Sequence, residues 1–213
     1  MSRILETPPV EEATEKWRDQ HAPPAERVND VGYVPFGNVE TRNELQALVE
    51  IPLMIRALCL PRGARVLEIG CGRGVALPVF DDRLEPTELI GLDIDAALLA
   101  EARERVRNTC TYATLVEGDV RDMPFEASRF DLVVDFGTCY HASDSREERG
   151  AALREVYRVL RDGGLFVHET RVAQRLAHPV RSLGRALPWS AVPSLVHDRS
   201  AILWAARRKI GPG

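Results

Sequence analysis

Between residues 64 and 170 the chain alternates short apolar runs with amphipathic stretches, and this rhythm limits the folds open to it. "ARVLEIG", "ELIGLDID", "TYATLVEGD", "FDLVVDFG" and "LFVHE" are short and rich in β-branched or bulky apolar residues. Each reads as a strand, and the first suits one buried on both faces. Between them lie helical patterns. "RGVALPVFDDRL" is one. In "DAALLAEARERVRN", Asp95 is a cap and Leu98, Leu99, Ala102 and Val106 share a face. A third begins at "SREE", which fits a capping box, presents Leu153, Val156, Tyr157 and Leu160, and stops at Asp162-Gly163-Gly164. Strands alternating with helices predict a parallel sheet with helices on both faces. Near the end, "AVPSLVHDRSAILWAARR" gives two strand-like runs joined by a turn near His197-Asp198. Strands this close must pair antiparallel.

The first strand ends in "VLEIGCGRG", three glycines within five residues. Ligands of parallel sheets bind at the carboxyl ends of the strands, where strand order reverses. Gly70, Gly72 and Gly74 lie at such an end, where bare backbone and a following helix meet a ligand closely. The spacing is GxGxG, whereas a dinucleotide fingerprint reads GxGxxG. Asp93 follows at the end of the second strand, and an acid there serves any adenosine ribose.

Together, "VLEIGCGRG", "LIGLDID", "EGDVRDMPF", "FDLVVDFGTCYH" and "VLRDGGLFVHE" resemble the class I S-adenosylmethionine-dependent methyltransferases over about residues 60 to 170. The resemblance implies a Rossmann-like, doubly wound α/β fold: a seven-stranded sheet, mostly parallel, with an antiparallel last strand. It implies S-adenosyl-L-methionine as cofactor and S-adenosyl-L-homocysteine as product. Glu68, Gly70, Cys71 and Gly72, with Gly74 closing the turn, match the positions that hold the methionine end. Asp93 matches the acid that takes both ribose hydroxyls, and Ile94 would pack on adenine. Asp119 matches the acid that meets the adenine amino group, with the Val120 amide nearby. Asp135 and Phe136 would lie by the sulfonium and amino groups, although "DFGTCYH" replaces the small or apolar residues common at that point.

Tyr140 and His141 follow the fourth strand in a loop that faces the methyl group in this fold class. His141 is either a general base or a loop residue that shapes the pocket. His168 is a third catalytic candidate, and Glu169 beside it a candidate substrate contact; strand alternation turns them to opposite faces, so one at most faces the pocket. Trp17, Tyr33 and Phe36 form either an apolar lid over the substrate or the core of an N-terminal helix pair. The expected organisation is one globular unit: residues 1–60 as a helical lid or substrate segment, with a helix over 41–60 bent at Pro52, and 61–213 as the cofactor domain.

Composition bounds the partners. A net charge of −4 argues against a dedicated nucleic-acid binder. No apolar run approaches the length of a membrane span. Cys59, Cys71, Cys110 and Cys139 have neither CxxC nor zinc spacing, so no metal is expected. With no secretory leader pattern, the expected place is a reducing cytoplasm. The expected activity is methyl transfer to the O, N, S or C nucleophile of a compact acceptor, such as a natural-product intermediate, by a monomer or homodimer. The alternatives are an RNA or protein methyltransferase, which would need a basic groove or an added domain, and a cofactor-binding partner protein without catalysis.

Overall fold

β1 (Arg65–Ile69) forms where the sequence places five residues of strand character before Gly70, and its last four residues are buried. The structure, a computed structural model, describes residues 39–141, 145–171, 189–191, 195–197 and 202–211. Ahead of β1, α1 (Val39–Leu45) passes through a π-helical stretch at Gln46–Glu50 into α2 (Ile51–Ala57). The π-turn stands just before Pro52, where the sequence suggested a bend. Proline lacks an N–H and crowds the carbonyl four residues back, and the wider turn accommodates both.

After β1 come α3 (Leu77–Leu84), β2 (Glu88–Asp93), α4 (Ala96–Asn108), β3 (Thr114–Glu117) and β4 (Phe130–Asp135). A one-turn α5 (Thr138–His141) and α6 (Arg146–Val159) lead into β5 (Leu160–Arg171). β6 (Trp189–Ala191), β7 (Leu195–His197) and β8 (Ile202–Lys209) follow. The strand order is β3-β2-β1-β4-β5-β8-β6, with β7 also on β8. The first five strands are parallel, and β8 runs antiparallel to β5.

Two sequence expectations need correction. Among the described residues the sheet has eight strands, not seven. β7 pairs with Ile202–Trp204 and β6 with 207–209, both antiparallel, so they lie in succession along one edge of β8. Where one strand was expected beside β8, two short ones stand. Asp162-Gly163-Gly164 does not precede β5 but lies within it. Phe130 pairs with Leu160 and Leu132 with Leu165, so the intervening residues bulge, with Gly163 at φ +74°.

Alternation along the strands divides the core. Val66, Leu132, Val134 and Val167 pack with Ile51, Met54, Leu77 and Phe80 on one face. Leu67, Ile69, Val133 and Phe166 pack with Leu153 and Val156 of α6 on the other. The expected helix faces hold except at Leu160, which opens β5 instead of closing α6: Leu99 and Ala102 of α4 are fully buried, while Leu98, Val106 and Tyr157 are half-buried. Both predicted caps form. Asp95 accepts from the amides of Ala97 and Leu98, and Ser145 from those of Glu147 and Glu148.

The loop after β3 is held by Arg158. Its guanidinium donates to the carbonyls of Phe125 (2.7 Å) and Met123 (3.0 Å) and pairs with Glu155, which also accepts from the Met123 amide. Arg158→Ala strands two carbonyls and a carboxylate. It should cost about 1–3 kcal/mol in urea unfolding.

Candidate active site

Strand order reverses between β1 and β4, and the expected acids gather at the carboxyl ends around that point. Ile69 is in register with Asp135, Asp135 with His168, and Asp93 with Glu117. Glu68 and Asp135 are buried; Asp93 and Asp119 are half-exposed.

Glu68 is 3% exposed, and its Oε2 meets no hydrogen-bond partner. Burial first, and then the neighbouring Asp93, push its carboxyl well above the ordinary range. Asp93 Oδ2 accepts from the Gly72 amide at 2.7 Å, and Oδ1 from the Asp95 amide at 2.9 Å. One carboxylate therefore fixes both the glycine loop and the start of α4. Ile94 beside it is 64% exposed, an apolar side chain left open next to Asp93. The Cys71 thiol is pushed far up by burial and by Glu68 and Asp93, so it is not a thiolate at neutral pH.

The three glycines differ. All have positive φ: +64°, +51° and +68°. A Cβ on Gly70 would lie 1.8 Å from Thr138 Oγ1, and one on Gly74 would lie 3.1 Å from Ala102 Cβ. A Cβ on Gly72 meets nothing within 4 Å. Gly70 and Gly74 are therefore required by the chain's own packing, and Gly72 alone of the three borders open space. Thr138 was not among the sequence candidates. It donates from Oγ1 to the Ile69 carbonyl (3.1 Å) and clamps α5 onto the loop.

Asp135 caps α5. Its oxygens accept from the amides of Gly137 (2.9 Å), Thr138 (2.5 Å) and Cys139 (3.3 Å). Burial raises its carboxyl to about 7, opposed by those amide bonds. Since the folded value exceeds the ordinary 3.8, the fold favours the protonated form. The stability it contributes is full below about pH 4 and declines as pH rises toward 7. Asp135→Asn keeps an acceptor for the cap and removes this titration. The wild-type minus variant difference in unfolding free energy should fall by roughly 1 kcal/mol per pH unit between pH 5 and 7. Urea titrations across that range measure it.

Phe136 stacks against Phe80, with centroids 6.4 Å apart. His168 and Glu169 are both buried. His168 packs against the Phe166 ring (5.5 Å), while Glu169 lies 3.8 Å from Arg42 of α1, which also pairs with Glu50 at 2.9 Å. The backbone of Tyr140 and His141 lies in α5, directly beyond the Asp135 cap. Their side chains, and all of Trp17, Tyr33 and Phe36, lie outside the described residues.

Asp119 holds a partner the sequence reading omitted. Arg121 donates to both of its oxygens from Nε (3.0 and 2.9 Å) and to Oδ2 from Nη2 (2.6 Å). The hydrogen-bonded guanidinium keeps the Asp119 carboxyl below its usual range. Val120 points into the core, 8% exposed. An open depression, about 380 Å³, is lined by Arg103, Arg107, Tyr112 and Leu115 beside the start of β3, away from these acids. Among the described residues no cluster of His, Cys, Asp and Glu side chains could hold a metal. No described helix is long and apolar enough to cross a membrane.

The arrangement can receive a cationic, hydroxyl-bearing ligand. Four carboxylates stand on adjacent strand ends, one with an unpartnered buried oxygen, beside an opening over Gly72. Residues 66–164 match the family described as methyltransferase domain. The chain is 35% identical to a malonyl-[acyl-carrier protein] O-methyltransferase of Enterobacter lignolyticus, over 70% of this chain and 54% of that protein. It is 33% identical to a fatty-acid O-methyltransferase of Mycolicibacterium smegmatis, over 50% of this chain and 36% of that protein. The chain thus spans about half or less of the length of these curated relatives. Among solved structures, a SAM-dependent methyltransferase from Aquifex aeolicus superposes with a TM-score of 0.67 at 12% identity, covering 81% of this chain and 97% of that one.

Proposed function

From a chain that carries a class I S-adenosylmethionine-dependent methyltransferase domain, we propose transfer of a methyl group from S-adenosyl-L-methionine to a small-molecule acceptor, with S-adenosyl-L-homocysteine as product. The carrying observation is the buried Glu68, whose Oε2 lacks a partner, next to the open space at Gly72. A buried acceptor without a donor is costly, and an ammonium from the ligand would relieve it.

The cofactor, when bound, supplies a methyl group already activated toward a nucleophile. The chain's task is then placement and exclusion of water. Glu68 receives the amino end, and the carboxylate at Asp93 offers its remaining lone pairs to the ribose hydroxyls. Ile94 gives the adenine ring an apolar face, and Asp119 takes its amino group. Asp135, buried at the end of β4, holds α5 in place beside the proposed position of the methyl group. His141 on α5 is the proposed base where the acceptor must lose a proton, with Tyr140 orienting it. The burial of His168 and Glu169 favours a wall of the acceptor pocket over a direct chemical role. Residues 1–60, with Trp17, Tyr33 and Phe36, are the proposed cover.

The acceptor is proposed to be a compact metabolite with an O, N, S or C nucleophile. The relatives named for malonyl-carrier and fatty-acid O-methylation support that class. Four free cysteines fit a reducing cytoplasmic compartment. Screening small acceptors for release of S-adenosyl-L-homocysteine tests the proposal. Turnover of one acceptor class that disappears in Asp93→Ala supports it. Turnover that survives Asp93→Ala contradicts it.

A further inference from the structure

Asp119 stands where the loop after β3 turns back along the sheet, and that loop is fixed at three points. The Gly118 amide donates to the Asp93 carbonyl (2.9 Å), the Met123 amide donates to Glu155, and Val120, Met123 and Phe125 are buried. The backbone beneath Asp119 is set, while the direction of its side chain is set by Arg121. The Arg121 amide donates to Oδ1 at 2.8 Å, and its guanidinium donates to Oδ1 and Oδ2 from Nε and to Oδ2 from Nη2. A carboxylate offers about four acceptor positions. Three donors of a single residue, with the Nε hydrogen shared between both oxygens, occupy three of them and leave room for about one more.

Arg121 is held in turn. Its Nη1 lies 3.2 Å from Glu148 Oε1, in the first turn of α6. The chain Asp119–Arg121–Glu148 thus joins the loop after β3 to the helix that follows residues 142–144. An exposed ion pair alone contributes little to stability. A bidentate fork, however, adds direction as well as attraction, because the guanidinium is planar and rigid.

We propose that Arg121 is a positioning residue for the nucleobase of the cofactor: its fork turns Asp119 so that the remaining acceptor position admits one N–H donor, and so selects a 6-aminopurine. The proposal rests on the methyltransferase reading above and extends it to a residue with no contact to the reacting atoms. A 6-oxopurine places an acceptor against that position, and a fixed carboxylate cannot turn away from it. Without the fork, Asp119 rotates toward solvent and the base is no longer read.

Calorimetric titration with S-adenosyl-L-homocysteine and its 6-oxo analogue, S-inosylhomocysteine, tests this in the wild type, Arg121→Gln and Glu148→Gln. The wild type is expected to prefer the 6-amino ligand by about 50-fold or more, since a site built to accept an N–H penalises a ligand lacking it. In Arg121→Gln the preference should shrink to about 5-fold or less, chiefly by loss of affinity for the 6-amino ligand. Glu148→Gln should fall between the two. A merely structural role weakens both ligands equally and leaves the ratio untouched. An unchanged ratio in Arg121→Gln overturns the proposal and leaves the methyltransferase reading standing. Should Arg121→Gln not fold, an unchanged ratio in Glu148→Gln overturns it instead. Failure of the wild type to bind the 6-amino ligand overturns the methyltransferase reading, and this proposal with it.

Discussion

Asp93→Ala is expected to raise the dissociation constant for S-adenosyl-L-methionine by about 100- to 1,000-fold, as two or more charge-assisted hydrogen bonds are lost. Two effects combine. The carboxylate is the proposed partner of the ribose hydroxyls. It also accepts from the amides of Gly72 and Asp95, and so holds the loop in its binding shape before any ligand arrives. Its removal frees the Gly72 amide and unties the loop, so binding must restore that order at an entropic cost. Asp93→Asn retains one acceptor oxygen and should show a smaller loss. The folded state should lose about 1–3 kcal/mol in the alanine variant. Calorimetry with a parallel thermal melt separates the two effects. Undiminished affinity in a folded Asp93→Ala contradicts the assigned role.

The second large effect separates the glycines. Gly70→Ala drives a methyl group into Thr138 Oγ1 at a left-handed φ. The backbone penalty is about 1–2 kcal/mol, and overpacking adds about 1–3 kcal/mol or more. The Thr138 clamp on the Ile69 carbonyl must also give way, so α5 shifts with it. Gly70→Ala should therefore melt well below the wild type. Gly72→Ala carries the backbone penalty without a clash, since its Cβ meets open space. It should retain most of the stability and still lose cofactor affinity, because the methyl group occupies the proposed ligand volume. The pair is read by melting temperature and calorimetry together. A Gly72→Ala protein that binds as tightly as the wild type would place the ligand elsewhere.

The repeating apolar runs were legible as a parallel sheet because they alternate with helical patterns, which is the signature of parallel crossovers. The caps at Asp95 and Ser145 were legible because the signal is local. Features that depend on two distant segments were not. Three glycines pointed to a close approach, yet the sequence could not say by what. For Gly70 and Gly74 the approaching groups are Thr138 and Ala102, more than 25 residues away in the chain. Arg121 sits two residues from Asp119, and its spacing was visible, but a charge run such as "GDVRD" reads as a solvated turn until the loop beneath it is seen to be fixed. Burial of both His168 and Glu169 was also hidden. Alternation sends them to opposite faces, and a central strand covered on both sides buries each.

The central claim is that S-adenosyl-L-methionine lies across the loop from Gly70 to Gly74, with its cationic end at Glu68. Calorimetric titration of the purified chain with S-adenosyl-L-methionine tests it most directly. The account predicts one site per chain, saturating by about 100 μM, with a matching rise in melting temperature. Absence of both heat and thermal shift at hundreds of micromolar would contradict it.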